Sequence, residues 1–519
     1  MADFLTQVAA SMGEAVTLLL APSAIAMLLA GIVIGLIIGI LPGLGGLATL
    51  ALLLPFTYAL DPAGALALIL GAYSAVSMGG SIPAILLNTP GTGEQAVTAL
   101  DGYPLTRQGK GARALAAAAM AGAVGTLVGV VALTVLIPLI RTILMAVGSA
   151  ELFALSLLGV LAIGVLTTES VTRGLLSGLF GLMLSFVGYD AITGAARFTA
   201  GSAYLLDGLS ITGITLGLFA IAEMIYLFAR GEAISAKSAG TFRFSNEPGA
   251  GVRDGVRDCL RHRSTLLQGG LIGSVVGVIP GMGGTVAMFL SYAQAKHRSK
   301  NPKLFGKGAV EGIIAAEAAN NAKEGGSLVP TVAFGIPGSS SMAIFIGVLF
   351  IIGLQPGPML VRDNLPIVYY MAWSLATAGI VGSLLGMVVA PHVARVSTVT
   401  PGALAPMLIA FSTAGAVVDT RLVFGAFVAI AAGFVGYWLR VMQYSNAGVT
   451  LGFLLGPVVE KQMFISLRAY GAGFLTRPLT LVILAGIVYL LVRPYLAKRR
   501  RRRLPDVLHQ EESIEELLQ

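Results

Sequence analysis

The stretch that decides the fold is GIVIGLIIGILPGLGG, residues 31–46, which recurs later in the chain as GGLIGSVVGVIPGMGG, residues 269–284. Seven glycines and prolines stand at the same places in both copies, each shifted by 238 positions (269 − 31). In both copies an apolar run meets a Pro-Gly break, and a helix does not continue through such a break. The chain is therefore predicted to contain two homologous halves, each opening with a broken helix.

Length and composition place both halves in a membrane. The chain has 519 residues, of which 56% are hydrophobic and 11% charged, whereas soluble proteins carry about 25% charged residues. That apolar content could supply about a dozen membrane helices of about 20 residues each. A multidomain cytosolic enzyme is thereby excluded. Cys259 is the single cysteine, so an internal disulfide and a cysteine-based structural metal site are excluded as well.

The repeat continues beyond the first break in each half. Further matches follow at similar shifts: Gly79-Gly80-Ser81 with Gly325-Gly326-Ser327, Pro90-Gly91 with Pro337-Gly338, and Phe186-Val187-Gly188-Tyr189 with Phe434-Val435-Gly436-Tyr437. Apolar stretches predict crossings at about 64–88, 112–139, 150–166, 172–188 and 207–229, then at about 308–335, 366–390, 403–417, 422–439 and 447–460, with a final helix at about 478–492. The breaks near 42 and 280 are predicted to be tips of re-entrant hairpins.

The charge distribution predicts how the halves are oriented. Basic residues concentrate in the central linker and in the tail from Lys498 to Arg503, so both regions are predicted to be cytoplasmic. An even number of crossings must separate them, and the final helix is one, so the second half contributes an odd number. Two such halves in one chain are inverted relative to each other. The N-terminus, which has no Lys or Arg before Arg107, is predicted to be periplasmic.

The predicted fold is an all-α polytopic membrane protein. It has two inverted-topology repeats of about five spans each, with re-entrant hairpins and broken helices, plus a C-terminal span. The predicted divisions are a first transmembrane repeat at 1–235, a basic cytoplasmic linker at 236–264, a second repeat at 265–470, a final helix at 471–497 and a cytoplasmic tail at 498–519. The stretches around Pro90 and Pro337 leave the span count open, because each could form another hairpin.

The breaks are the predicted binding sites. Non-helical backbone at membrane depth is tolerated where it is buried in protein or lines a cavity, and in transporters such breaks point helix N-termini at anions and free carbonyls at cations. The alternative is that the hydroxyl and amide residues there are ordinary helix caps. The substrate- or ion-binding candidates are Pro42, Gly43, Gly45, Gly46, Ser81, Asn88, Thr89, Gly91, Thr92, Pro280, Gly281, Gly283, Gly284, Thr285, Asn320, Asn321, Ser327, Gly338, Ser339 and Ser340.

A polar patch from Glu317 to Glu324 lies in a stretch that is otherwise apolar. Its counterpart near Tyr73–Met78 is interpreted as apolar, and this asymmetry favours a substrate or ion contact. The alternative is a helix that surfaces at the cytoplasmic rim after Lys307. No catalytic residues are predicted, because no P-loop, HExxH or GxSxG pattern occurs.

Several of these motifs resemble a known family, the large membrane (permease) subunit of tripartite tricarboxylate transporters, TctA type. The resemblance covers about residues 20–470 and rests on the motifs at 39–46, 79–83, 88–92 and 100–105. It implies a bacterial inner-membrane permease that works with a small membrane subunit of about four helices and a periplasmic solute-binding protein. Such permeases import citrate or other carboxylates by symport driven by Na⁺ or H⁺, so no cofactor beyond the coupling ion and no nucleic-acid partner is expected.

Two other functions stay open at this point. A membrane-embedded enzyme acting on a lipid or lipid-linked substrate would need a buried cluster of His, Asp or Glu. A passive anion channel would conduct without a binding protein and without an ion gradient. The sequence leaves open the identity of the carboxylate and the choice between Na⁺ and H⁺.

Overall fold

The computed structural model describes residues 2–41, 45–90, 94–144, 147–166, 170–190, 193–230, 248–280, 282–393 and 401–501. Helices contain most of these residues. The sheet found within these ranges is a two-stranded antiparallel hairpin, β1 Gly188–Tyr189 with β2 Ala196–Arg197. The predicted all-α class is confirmed.

The first half holds helices wherever crossings were predicted. It consists of α1 Ala2–Leu19, α2 Pro22–Ile40, α3 Gly45–Leu53, α4 Pro62–Leu87, α5 Ala96–Arg107, α6 Gly111–Leu144, α7 Ser149–Leu166, α8 Val171–Ser185, α9 Ile211–Thr215 and α10 Ala222–Arg230. A 3₁₀ turn at Leu54–Ala59 follows α3, and a π-helical segment at Leu216–Ile221 joins α9 to α10. The described part of the predicted linker, from residue 248 onward, holds helix α11 Pro248–Arg261.

The second half repeats this order. It consists of α12 Arg263–Val278, α13 Gly283–Arg298, α14 Val310–Phe334, α15 Ser340–Ile351, α16 Pro358–Asp363, α17 Leu365–Val393, α18 Pro401–Thr420, α19 Phe424–Val441 and α20 Asn446–Tyr470, followed by α21 Pro478–Arg501. Each predicted crossing of the second half again coincides with a helix.

Length and apolar composition together distinguish the crossing candidates from the other helices. Within the described residues, six helices are long and apolar enough to span a membrane, and they fall in α2, α4, α6, α17, α19 and α20. Helices α5 and α15 have 12 residues each, about 18 Å at 1.5 Å per residue, which is shorter than a bilayer core of about 30 Å. These two short helices follow the breaks at Pro90 and Pro337, where the span count had been left open.

Helix α2 packs against α4 with almost no space between the backbones. A Cβ atom at Gly31 would overlap the carbonyl oxygen of Leu68, and one at Gly35 would overlap that of Ala72. The contact advances in the same direction along both helices, so α2 and α4 run parallel. The chain must therefore turn back between them, which α3 and the following 3₁₀ turn accomplish.

Helices α12 and α14 pack in the same way in the second half. A Cβ at Gly273 would overlap the carbonyl oxygen of Ala319, and one at Gly277 would overlap that of Lys323. The shift between the halves is 238 for the first helix of each pair (273 − 35) and 247 for the second (319 − 72). Because the paired helix backbones lie so close together, a side chain larger than that of glycine does not fit at these positions.

The packing corrects two of the sequence matches. Gly79 faces the carbonyl oxygen of Leu36 and Gly326 faces that of Ser274, so Gly79 corresponds to Gly326 rather than to Gly325. The predicted shift of 246 in this motif is therefore one residue too small. The tetrapeptide match is wrong, because residues 186–189 leave α8 and enter β1 whereas residues 434–437 lie inside α19.

The two halves interlock at the centre of the molecule. Helices α4 and α14 run antiparallel where they meet, since Ser77 contacts Glu324 while Ser81 contacts Glu317. Helix α6 packs on α14, and α17 packs on α4. Helix α20 likewise packs on α7 and α8, and the α9–α10 segment packs on α18 and α19. Each of these helices thus packs on a helix of the other half. Helices α4 and α14 occupy equivalent places in the two halves, and an inverted repeat requires such a pair to run antiparallel.

Asp101 fastens α5 to the second half. Its completely buried carboxylate accepts hydrogen bonds from the backbone amides of Gly306, Gly308 and Ala309, each at 2.8 Å, and from the Tyr292 hydroxyl at 2.9 Å. Four donors to one carboxylate make a strong, charge-assisted anchor. This anchor holds the middle of α5 against α13 and the segment that leads into α14.

Candidate functional site

The polar patch of α14 lies in the protein interior. Glu317, Asn320, Asn321, Lys323 and Glu324 are between 0 and 5% exposed. Helices α4, α5, α6, α12 and α13 surround α14. The patch is therefore shielded from solvent by neighbouring helices, and each buried charge needs a partner because burial of an unpaired charge is costly.

Glu317 is held by hydroxyl groups. Its Oε1 accepts hydrogen bonds from Ser81 Oγ at 2.7 Å and from Thr98 Oγ1 at 2.5 Å. The Asn321 amide nitrogen donates to the backbone carbonyl of Glu317 at 3.1 Å. In the part of the chain that the structure describes, no basic side chain pairs with the Glu317 carboxylate. This arrangement suits a carboxyl group that binds a proton or a small cation.

Glu324 marks a second, less satisfied part of the patch. Its Oε1 accepts a hydrogen bond from Ser77 Oγ at 2.7 Å, whereas its Oε2 is buried without a hydrogen-bond partner among the described residues. The Tyr73 hydroxyl and both amide atoms of Asn320 are buried and unpartnered within the same set of residues. Buried polar groups in proteins are nearly always hydrogen-bonded, so these atoms indicate a place for a polar ligand.

Lys323 forms an ion pair with a residue of the first half. Its Nζ lies 3.0 Å from both carboxylate oxygens of Glu94, and the two side chains are 7% and 28% exposed. A Cβ at Gly284, in the first turn of α13, would lie within 2.6 Å of Glu94 Oε2. We call Gly284, Glu94 and Lys323 the charged cradle. Its carboxylate sits between an ammonium group and a helix N-terminus, which both attract anions.

The equivalent place in the other half has no charge. The shifts of 238 and 247 relate Gly46 to Gly284, Val76 to Lys323 and Ser341 to Glu94. A Cβ at Gly46 would lie 3.5 Å from Ser341 Oγ and 3.5 Å from Val76 Cγ1, so these three residues are neighbours as well. We call Gly46, Val76 and Ser341 the neutral cradle. The two cradles share their backbone arrangement and differ in their side chains.

The ends of α4 and α14 show why the chain breaks beside the cradles. Asn88 and Gly335, which end the two helices, have left-handed backbones with φ of 55° and 68°. Glycine adopts this conformation freely, and asparagine tolerates it better than most residues. Pro83 and Pro330 lie five residues earlier inside the helices and lack the N–H that the carbonyl four residues before would accept. Each helix therefore has a weakened last turn.

The structure brings some of the predicted site residues together. Those at the patch or cradles are Ser81, Asn320, Asn321, Gly46 and Gly284, with Gly45 and Gly283 at the start of α3 and α13. Ser327 donates a hydrogen bond to the backbone carbonyl of Glu324 at 2.9 Å, so it supports the patch. Pro280 lies in the turn that follows α12. Pro42, Gly43, Gly91, Thr92 and Gly281 lie outside the described residues.

Two of the other predicted residues, Ser339 and Gly338, have structural roles. Ser339 caps α15 by accepting a hydrogen bond from the Met342 amide at 3.4 Å, which is the capping alternative weighed for this break. A Cβ at Gly338 would lie 2.6 Å from Ser327, so Gly338 is needed for close packing. Ser340 is half-buried at the start of α15, and Thr89 is half-buried after Asn88. The side chains of Asn88 and Thr285 are exposed, so neither lines the patch.

Three of the residues that sequence reasoning missed contact the α14 patch directly. Glu94, Thr98 and Ser77 were not among the candidates, although all three contact the α14 patch. The signal for Glu94 was available, because it aligns with Ser341 at the shift of 247. The interpretation of Tyr73–Met78 as apolar was wrong, since Ser77 in that stretch hydrogen-bonds to Glu324.

Comparison with known proteins identifies the family. A family model described as the tripartite tricarboxylate transporter TctA family matches residues 25–451. The chain belongs to the TctA family. This is a transporter family, so the membrane-enzyme alternative is wrong, and the chain is a multi-pass membrane protein of a transport system with other subunits.

Two relatives from Agrobacterium vitis are similar to the chain. An uncharacterized 52.8 kDa protein in the TAR-I ttuC′ 3′ region is 33% identical over 473 residues, which is 90% of this chain and 92% of that protein. An uncharacterized protein in the TAR-II ttuC′ 3′ region is 31% identical over 238 residues, which is 44% of this chain and 97% of that protein. No solved structure shows a significant match.

Proposed function

We propose that this TctA-family chain is the permease subunit of a secondary transporter that imports citrate, another tricarboxylate or a related carboxylate. Import is symport with Na⁺ or H⁺ across the bacterial inner membrane. The observation that carries the proposal is the buried polar face of α14, which meets broken helices from both halves. Buried ionisable residues inside a membrane are expensive and usually mark transport pathways.

The charged cradle supports a carboxylate as the substrate. Lys323 and the N-terminus of α13 attract a negative charge, and the unpartnered Tyr73 hydroxyl and Asn320 amide are neutral donors in the same region. Charge-assisted hydrogen bonds to a carboxylate are stronger than bonds between neutral groups. A polycarboxylate would engage the charged and the neutral donors together.

Glu317 is the proposed site of the coupling ion. Ser81 has one hydroxyl proton but two acceptors within reach, the Ser77 carbonyl at 3.0 Å and Glu317 Oε1 at 2.7 Å. A proton on Glu317, or a Na⁺ held by its carboxylate and the two hydroxyls, would satisfy both contacts and neutralise the buried charge. Movement of this ion down its gradient would supply the driving force.

The partners proposed are a small membrane subunit of about four helices and a periplasmic solute-binding protein. Their support is membership of a tripartite family. In this arrangement the N-terminus is periplasmic and the basic tail is cytoplasmic. A permease fed by a binding protein would pass the substrate between packed bundles, and the exchange of helix partners between the halves supports an alternating movement of bundles that each contain helices from both halves.

Uptake into proteoliposomes tests the proposal. The chain and its small subunit are reconstituted, and uptake of labelled citrate and a panel of mono- and dicarboxylates is followed with and without the binding protein. A Na⁺ gradient and a pH gradient are imposed separately. We expect uptake that requires the binding protein and one of the two gradients. Flux that needs neither would indicate a passive anion channel and contradict the proposal.

A further inference from the structure

We propose that Glu94 is an internal carboxylate ligand, held in the site where a substrate carboxylate binds, and that the substrate displaces it from Lys323. This inference rests on the proposed function, because it assigns the carboxylate site of that same transporter. The carboxylate that enters would be a small organic anion, and Glu94 would leave as it binds.

The first support is the ion pair itself. The Lys323 ammonium is almost completely buried and has two contacts of 3.0 Å, both to the Glu94 carboxylate. A buried ammonium requires an anionic partner, and removal of that partner is strongly destabilising. The surroundings of Lys323 therefore favour a bound carboxylate. In this structure the Glu94 side chain provides that carboxylate.

The second support is the position of the carboxylate on α13. Gly284 is the second residue of this 16-residue helix, and a side chain there would collide with the Glu94 carboxylate. A helix N-terminus carries a partial positive charge and binds carboxylates. The absence of a side chain at Gly284 lets the carboxylate approach this end of the helix.

The third support comes from polar groups beside the pair that Glu94 does not satisfy. The Tyr73 hydroxyl lies among Lys323, Glu324, Ser327 and Ser339, is 2% exposed, and makes no hydrogen bond of regular geometry in the described ranges. Asn320 lies one helical turn before Lys323, and neither of its amide atoms has a partner there either. Glu94 thus fills the charged part of the site, and a larger carboxylate would fill the neutral part as well.

Glu94 is also placed to move. It lies between helices, ahead of α5, whereas Lys323 is in the middle of the 25-residue α14. The Glu94 side chain is 28% exposed, four times the fraction for Lys323. The Asp101 anchor holds α5 itself in place, so Glu94 could swing away without displacing the helix.

Chemical rescue of a Glu94 variant tests the inference. The full chain with its small subunit is purified as wild type, Glu94→Ala, Glu94→Ala/Lys323→Met and Ser341→Ala, the matched variant of the neutral cradle. Melting temperature is measured against acetate and citrate concentration at constant ionic strength in chloride. A ligand that binds the folded protein raises the melting temperature saturably.

We expect acetate and citrate to raise the melting temperature of Glu94→Ala. Half-saturation should come at a concentration about tenfold below that for the wild type, because the internal competitor is gone. Ser341→Ala should respond as the wild type does, and Glu94→Ala/Lys323→Met should not respond. Glu94→Gln, which keeps the side-chain length, provides the same test if the alanine variant does not fold.

The inference is overturned if carboxylates do not raise the melting temperature of the Glu94 variants. It is also overturned if they raise the melting temperature of Glu94→Ala/Lys323→Met as much as that of Glu94→Ala. These outcomes are separate from those of the uptake assay. Wild-type uptake together with an unresponsive Glu94→Ala would reject the internal ligand and leave the transporter proposal standing. Rescue by acetate without uptake of any carboxylate would establish the site and reject the proposed substrate class.

Discussion

The two cradles have the same backbone arrangement and opposite chemistry. In the charged cradle the first turn of α13 meets a carboxylate that is paired with an ammonium group, and in the neutral cradle the first turn of α3 meets a hydroxyl and an isopropyl group. The difference extends along the helices, since Glu317 on α14 corresponds to Leu70 on α4 at the shift of 247. The two cradles thus share a backbone frame, and the charged side chains are concentrated on one side of it.

The largest expected effect comes from replacing the Lys323 ammonium group with the uncharged thioether of methionine. We predict that Lys323→Met lowers carboxylate uptake by about 100-fold or more, the equivalent of losing about 3 kcal/mol of binding. It should also destabilise the protein by about 3 kcal/mol, because Glu94 loses its partner. Labelled-citrate uptake and thermal unfolding measure the two effects.

The matched control for this change is Val76→Met in the neutral cradle. It places the same side chain at the equivalent position and should change uptake by less than about fivefold, the effect of modest overpacking. Equal losses in the two variants would show that the cradles do not differ in function.

Glu317→Gln should have the next largest effect. The amide cannot release a proton or hold Na⁺ as a carboxylate does, so gradient-driven accumulation should fall about 30-fold, as expected for a loss of about 2 kcal/mol. Exchange of labelled for unlabelled substrate should persist, because it needs no net ion movement. Leu70→Met is the control on α4. Full accumulation by Glu317→Gln would remove Glu317 from the coupling step.

Alanine substitutions at Gly284 and Gly46, in the first turns of α13 and α3, test the different space that the two cradles leave for a side chain. In Gly284→Ala the new methyl group would occupy the space of the Glu94 carboxylate, where the substrate carboxylate is proposed to bind, whereas in Gly46→Ala it would make ordinary contacts at 3.5 Å. We predict about a tenfold loss of uptake for Gly284→Ala, within the cost of overpacking, and near-normal uptake for Gly46→Ala. The reverse order of effects would contradict the assignment of the two tips.

Much of the fold could be predicted from the sequence, because membrane burial and helix breaks act through nearby residues. Pro42 and Pro280, with their flanking glycines, predicted where α2 and α12 end. The same local reasoning matched Gly79 with Gly325 instead of Gly326. The sequence alone does not show which of two adjacent glycines contacts the backbone of the neighbouring helix. Helices such as α5 and α15 were too short for hydropathy to separate them from the breaks.

The site was harder to predict, because its contacts join distant parts of the chain. Lys323 and Glu94 are 229 positions apart, and Thr98 and Glu317 are 219 positions apart. The α14 patch was visible as an unusual run of polar residues, but burial was needed to separate a binding face from a helix that reaches water. Only the packing shows that Glu94 belongs with Lys323.

The smallest expected effect is that of two cysteine substitutions that report on topology. Each should leave uptake within about twofold of the wild-type value. Cys259 is buried, and burial raises the pKa of its thiol to about 12. The reactive thiolate is therefore scarce at neutral pH, and the wild-type chain should not react with maleimide. New cysteines are then introduced at the exposed residues Ala59 and Lys300, which precede α4 and α14.

Inverted halves predict opposite labelling of these two cysteines. Ala59→Cys should react with a membrane-impermeant maleimide from the periplasmic side, and Lys300→Cys only from the cytoplasmic side. Labelling of both from one side would contradict the inverted arrangement and, with it, the equivalence of the cradles across the membrane.

The most direct test of the central claim is a cryo-electron microscopy map of the wild-type complex, saturated with the carboxylate that the uptake assay identifies. The account predicts density for a substrate carboxylate at hydrogen-bonding distance from Lys323 Nζ, with the Glu94 side chain moved away from Gly284. Substrate density at the neutral cradle, or an intact Glu94–Lys323 pair with substrate bound elsewhere, would contradict it.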